Sequence, residues 1–155
     1  FIQWSDEQWE KEGRYNFILC SKADERKVIG GAGLNMEGLD GSNEPNALLE
    51  QKYPEGVARV GFCIAKDEWG KGYATEACRK IIELANEVGI TKLVAPVHPD
   101  NLASIRVLEK CGFQEDATAS ETLVLPNLSK CKVQLVGLAR SLSLSTPPPT
   151  LTWED

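Results

Sequence analysis

The segment Trp69-Gly70-Lys71-Gly72-Tyr73-Ala74 is the stretch best suited to chemistry. It lies between an apolar run, Val57 to Ala65, and a helical pattern that begins at Ala74. Small residues at such a turn let backbone N–H groups point inward, and the partial positive charge of a helix N-terminus adds to them, so the turn favours a pyrophosphate. Lys66 and Lys71 place cations nearby. A tight strand-to-helix turn needs the same glycines, so G-x-G alone leaves both readings open. The dinucleotide pattern G-x-G-x-x-G is incomplete, because Thr75 stands where its third glycine belongs, and the triphosphate loop G-x-x-x-x-G-K-[ST] is absent. A different phosphate-bearing ligand is implied.

A second constellation is Asn101-Leu102-Ala103-Ser104, followed by Val107 through Phe113. Asn101 and Ser104 have the chemistry of helix caps as well as of a site. His98, the only histidine, directly follows a strand pattern and is a candidate proton carrier by type. A lone histidine is also commonly structural or solvated. Glu37, Asp40, Glu50 and Glu55 are further acids, unranked among themselves, in a long segment rich in Gly, Asn and Glu.

The elements that must hold these residues follow from periodicity. Tyr15 to Cys20 and Lys27 to Leu34 read as hairpin strands, and Gly30, Gly31 and Gly33 suggest close backbone approach or a bulge. Ile2 to Lys11 reads as the end of a helix stopped by Gly13. Val57 to Ala65 is apolar except at Arg59, which suits a strand covered on both faces. Ala77, Cys78, Ile81, Ile82, Ala85 and Val88 recur at helical steps, with Gly89 as the stop. Lys92 to Val97 is a strand, Asn101 to Lys110 a helix ended by Gly112, and Phe113 to Leu125 and Lys132 to Leu138 two final strands. The order predicts an α/β domain over residues 1–140, with a mixed central sheet and a strand-helix-strand-helix core. Residues 141–155, with Pro147 to Pro149, read as a flexible tail.

Composition sets the surroundings. A net charge of −6 argues against nucleic acid as a partner. The 42% hydrophobic and 26% charged content suits a globular domain. No stretch reaches the roughly 20 apolar residues of a bilayer span, and no signal segment opens the chain, so a cytoplasmic protein with no membrane partner is expected. The five cysteines (Cys20, Cys63, Cys78, Cys111 and Cys131) lack the C-x-x-C spacing of a metal or redox site and read as packing thiols, so no metal is expected.

With these motifs together, the stretch from about Tyr15 to Phe113 resembles the GNAT superfamily of acetyltransferases, and most the branch of ribosomal-protein N-terminal (alanine) acetyltransferases. Gly72 and Ala74 match the pattern [QR]-x-x-G-x-[GA]; Trp69 departs from its first position but is familiar in this branch. Asn101, Ser104, Gly112 and Phe113 match the branch's N-x-x-S and G-F marks.

The resemblance implies an acetyl-CoA-dependent N-acetyltransferase, acting by direct attack of a primary amine, either a protein α-amine or a small amine. It implies that strands Val57 to Ala65 and Lys92 to Val97 splay apart, with Gly61 at a bulge. The cofactor-binding set it implies is Cys63, Ile64, Ala65, Trp69, Gly70, Lys71, Gly72, Tyr73, Ala74 and Asn101. The N–H of Cys63 or Ile64 would stabilise the oxyanion. Ser104 would donate to the departing sulfur, Asn101 would position the cofactor, and His98 is a further catalytic candidate. Arg59 stands where the branch often carries Glu, which keeps open the alternative of a catalytically weak acyl-CoA-binding module acting as a sensor. The family's first strand and helix are expected to be missing, which would leave Tyr15 to Cys20 with an open edge and favour a homodimer.

Overall fold

The computed structural model describes residues 2–4, 14–24, 26–35, 54, 56–125 and 131–143. Within them the chain forms β1 (Ile2–Trp4), β2 (Arg14–Cys20), β3 (Val28–Asn35), β4 (Val57–Ile64), α1 (Tyr73–Glu87), β5 (Lys92–Val97), α2 (Leu102–Lys110), β6 (Gln114–Glu115), β7 (Glu121–Leu125) and β8 (Cys131–Ser141). The described strands form one mixed sheet in the order β1-β2-β3-β4-β5-β8-β6, with β7 also paired to β8. Neighbours are antiparallel except β4 and β5, which run parallel and are joined through α1. This is the expected α/β arrangement.

The apolar stripe of α1 explains where the helix lies. Ala77, Cys78, Ile81, Ile82, Leu84 and Ala85 are buried against β3 and β4, while α2 packs over β5 and touches α1. Leu34, Ile81, Leu93 and Leu108 are at most 1% exposed, each such burial contributing about 1.5–3 kcal/mol. Both helices stop as their sequences predict. Gly89 and Gly112 have positive φ, and Ile90 N–H donates to Ala85 O while Phe113 N–H donates to Leu108 O.

Four expectations need correction. Ile2–Trp4 is a strand, not a helix end, and it pairs with Phe17 to Leu19, so the edge of β2 is covered there. The remainder of that expected helix, residues 5–13, lies outside the described residues, as do Glu37, Asp40, Glu50, Glu55 and the expected 141–155 tail from residue 144 on; its first residues are not a tail, since Ser141 ends β8 and Leu142 is buried with its N–H donating to Thr91 O at 2.8 Å. Phe113 to Leu125 is not one strand: Asp116 caps a 3-10 turn at Ala117–Ala119 that separates β6 from β7. Gly61 is not at a bulge. The β3–β4 register runs unbroken from Gly30↔Ile64 to Asn35↔Arg59, and the irregularity lies instead between β2 and β3 at Leu19/Cys20. At Gly30 an added Cβ would collide with the Cys63 carbonyl oxygen, the close approach its sequence suggests. Among the described residues no helix is long and apolar enough to cross a membrane.

Candidate active site

The parallel ladder between β4 and β5 stops early. It pairs Val57 with Lys92, Ala58 with Leu93 and Arg59 with Val94, yet β4 continues to Ile64 and β5 to Val97. The two strands therefore part beyond Arg59. Ala65 N–H donates to Ile29 O at 2.8 Å, toward β3. Backbone groups of an antiparallel strand alternate sides, so Cys63 also faces β3, while Phe62 and Ile64 present theirs to the gap. Of the two oxyanion candidates, Ile64 has the N–H on the open side. Its carbonyl is engaged, accepting from Trp69 Nε1 at 2.8 Å.

Below the gap the chain turns into α1. A 3-10 turn, Lys66–Glu68, leads to Trp69, and Gly70 and Gly72 both adopt positive φ. Gly72 is the N-cap of α1 at φ 81° and offers no side chain to cap it. A residue with a Cβ would be strained in this left-handed conformation, although an added Cβ would meet nothing within 4 Å among the described residues. The N–H groups of Gly70 through Thr75 donate to no acceptor among the described residues; the first bond of the helix is Glu76 N–H to Gly72 O, 3.1 Å. A row of free donors at a helix start is suited to an anion.

The loop's lysine is not loose. Lys71 Nζ donates to Glu68 Oε2 at 2.8 Å, and Glu68 Oε1 also accepts from Lys27, in the turn before β3. Hydrogen bonding from Lys27, then from Lys71, holds the Glu68 carboxyl below the ordinary carboxylate range. Sequence reading does not single out Glu68; its signal is the i, i+3 spacing to Lys71. Lys66 is exposed.

Beyond β5, Asn101 starts α2, with its Oδ1 accepting from the Ser104 N–H at 3.2 Å. The cap reading of Asn101 is thus realised. Ser104 is half-buried, and its hydroxyl has no partner among the described residues. His98 is half exposed; its Nδ1 accepts from the Asp100 N–H at 3.2 Å, and Asp100 Oδ2 lies 3.9 Å away. The sheet face opposite the helices carries a cleft of about 520 Å³ at Gly31, Gly33, Arg59, Gly61, Cys63 and Pro96, on both sides of the β4–β5 gap. Cys20, Cys63, Cys78 and Cys111 are free thiols, and no cluster of metal ligands occurs among the described residues.

Residues 1–114 match the acetyltransferase (GNAT) domain. The chain belongs to this family. It is 30% identical over 128 residues to the uncharacterized N-acetyltransferase p20 of Bacillus licheniformis, covering 81% of this chain and 60% of p20. The chain thus spans about three-fifths of the length of that relative. Two solved structures share the GNAT fold. Ribosomal-protein-S5-alanine acetyltransferase from Vibrio fischeri superposes with TM-score 0.66 at 16% identity, over 89% of this chain and 67% of that one. Aminoglycoside acetyltransferase AAC(6')-Ib, in complex with coenzyme A and kanamycin, does so with TM-score 0.61 at 23% identity, over 85% and 69%.

Proposed function

We propose that this GNAT domain binds acetyl-CoA and transfers the acetyl group to a primary amine. The parted strands carry the reading, because among the described residues they leave the Phe62 backbone and the Ile64 N–H without partners on the strand that leads, through the Lys66–Glu68 turn, into a helix start whose N–H groups also meet no described acceptor. Pantetheine would pair with the backbone of Phe62, leaving the Ile64 N–H for the thioester oxygen, and the diphosphate would meet the N–H groups of Gly70 to Thr75. The amine would approach through the cleft on the opposite face.

The chemistry is attack of a neutral amine on the thioester carbonyl. The C–N bond forms, the C–S bond breaks, the amine loses a proton and the thiolate leaves. Ile64 N–H is the donor placed for the oxyanion, and the Ser104 hydroxyl is the donor for the departing sulfur. Asn101 orders the start of α2 and so positions Ser104. His98 remains a candidate by type, but to take a proton at Nδ1 it would have to give up the hydrogen bond that this nitrogen accepts from the Asp100 N–H.

The described lining of the cleft supplies no carboxylate. At pH 7 an α-amine of pKa about 8 needs roughly 1.4 kcal/mol to become neutral, against roughly 4.6 for a lysine near 10.4. Acceptors with low amine pKa are therefore favoured. The test is thiol release from acetyl-CoA across peptides with free α-amines, lysine peptides blocked at the N-terminus, and aminoglycosides. Release that depends on an α-amine is expected. Binding of acetyl-CoA without release to any acceptor would instead establish an acyl-CoA-binding module, the reading favoured by Arg59 at the cleft.

A further inference from the structure

Glu68 is the one buried charged residue among those described, 4% exposed. A carboxylate out of water is costly unless it is paired and hydrogen-bonded. Here each oxygen has its own ammonium: Lys27 from the turn before β3 and Lys71 from the middle of the glycine turn. Both lysine side chains are 50% exposed, so the carboxylate is the fixed member of the triad. Its backbone is fixed too, with Glu68 N–H donating to Ala65 O at 2.9 Å and the Trp69 indole holding the end of β4.

Gly70 and Gly72 have no such support. Nothing described lies within 4 Å of an added Cβ at either, and glycine has the most backbone freedom to lose. The Lys71–Glu68 bond is thus the described side-chain restraint on the turn. Resting on the acetyl-CoA reading above, we propose that Glu68 is a positioning residue for the diphosphate. It fixes the Gly70–Gly72 turn through Lys71, so that backbone N–H groups rather than lysine ammoniums receive the phosphates. Lys71 acts as a tether and Lys27 as the counter-anchor that keeps the carboxylate in place.

The opposite role, a carboxylate that merely neutralises two phosphate-binding cations, predicts the opposite sign. Glu68→Gln frees both ammoniums, so simple electrostatics would tighten binding of a diphosphate. Loss of the positioned turn weakens it. The experiment is titration of wild type and variants with acetyl-CoA and with S-acetylpantetheine, which carries the thioester but no diphosphate, together with KM and kcat for the best acceptor. Glu68→Gln should weaken acetyl-CoA binding and raise its KM about tenfold, the worth of one charge-assisted hydrogen bond, with kcat within about twofold. S-acetylpantetheine binding should not change. Tighter acetyl-CoA binding, or equal losses for both ligands, overturns the assignment. Lys27→Met, an exposed substitution outside the turn, should weaken acetyl-CoA alone by about threefold, and it decides the matter if Glu68→Gln does not fold. No effect from Lys27→Met overturns the proposal. Wild type that fails to bind acetyl-CoA overturns the reading beneath it as well, whereas binding by wild type with unchanged variants overturns the role of Glu68 alone.

Discussion

The two helices of the core begin differently. At α2 the Asn101 side chain accepts the Ser104 N–H, so the first turn is closed by the chain itself. At α1 the cap is Gly72, and the N–H groups from Gly70 to Thr75 have no acceptor among the described residues. A side-chain cap of Ser, Asp or Asn is worth only roughly a few tenths of a kcal/mol over glycine, and at φ 81° its Cβ would be strained, so little stability is given up by glycine here. In the proposed acetyl-CoA complex, glycine there keeps the donors for the diphosphate, and the parting of β4 from β5 leaves a path for pantetheine. The capped helix, in turn, fixes the backbone of Ser104, whose hydroxyl meets no partner among the described residues. In the proposed reaction one N-terminus binds the diphosphate and the other positions Ser104.

The largest test of this contrast is Gly72→Glu. It forces a Cβ into a positive-φ position and puts a negative charge among the donors, so acetyl-CoA affinity should fall by at least about a hundredfold. Calorimetric titration of the folded variant checks it. Unchanged affinity would place the diphosphate elsewhere. Ser104→Ala should act on rate. The Asn101 cap uses the Ser104 N–H and survives the substitution, so kcat should drop about tenfold while melting temperature and acetyl-CoA affinity hold. Full turnover in the alanine variant would remove the hydroxyl from the chemistry.

Asn101→Ala reverses that pattern at the same helix. It deletes the cap and should cost about 1 kcal/mol, a fall of roughly 3 °C in melting temperature, while Asn101→Asp retains it. Thermal unfolding of the three proteins separates them. Equal stability of all three would mean that α2 does not depend on its cap.

Much of this frame is legible in residue order because its causes are local. The stripe from Ala77 to Val88, the stops at Gly89 and Gly112, and the Asn101 cap all follow from spacings within a few residues. What stays hidden depends on distant partners. Glu68, between Asp67 and Trp69, reads as part of a solvated turn, and only the fold brings Lys27 to it across 41 positions. Ile2–Trp4 carries too few residues to show alternation, so its strand identity comes from the β2 edge it meets. Phe113 to Leu125 looks continuous because nothing in its apolar content marks the capped turn at Ala117 that breaks it.

The smallest effect concerns a third N-terminus, the 3-10 turn at Ala117–Ala119. Its cap is charged. The Asp116 side chain accepts from the Thr118 N–H at 2.9 Å and from Lys92 Nζ at 2.8 Å. The Lys92 hydrogen bond, then those of Thr118, hold its carboxyl at about 2, below the ordinary 3.8. A depressed folded pKa means stability that is present in full above the unfolded value and is lost as pH falls through the folded one. The window is therefore pH 4 down to 2. Both partners are about 30% exposed, so solvent screens the pair and keeps the effect small. The difference in melting temperature between wild type and Asp116→Asn should be steady from pH 7 to 5 and shrink toward zero near pH 2. The Asn101 cap has no titrating group, so the difference between wild type and Asn101→Ala should stay level across the same range. A parallel decline in both would show that acid weakens these helix starts through the domain as a whole rather than through the charge on one cap.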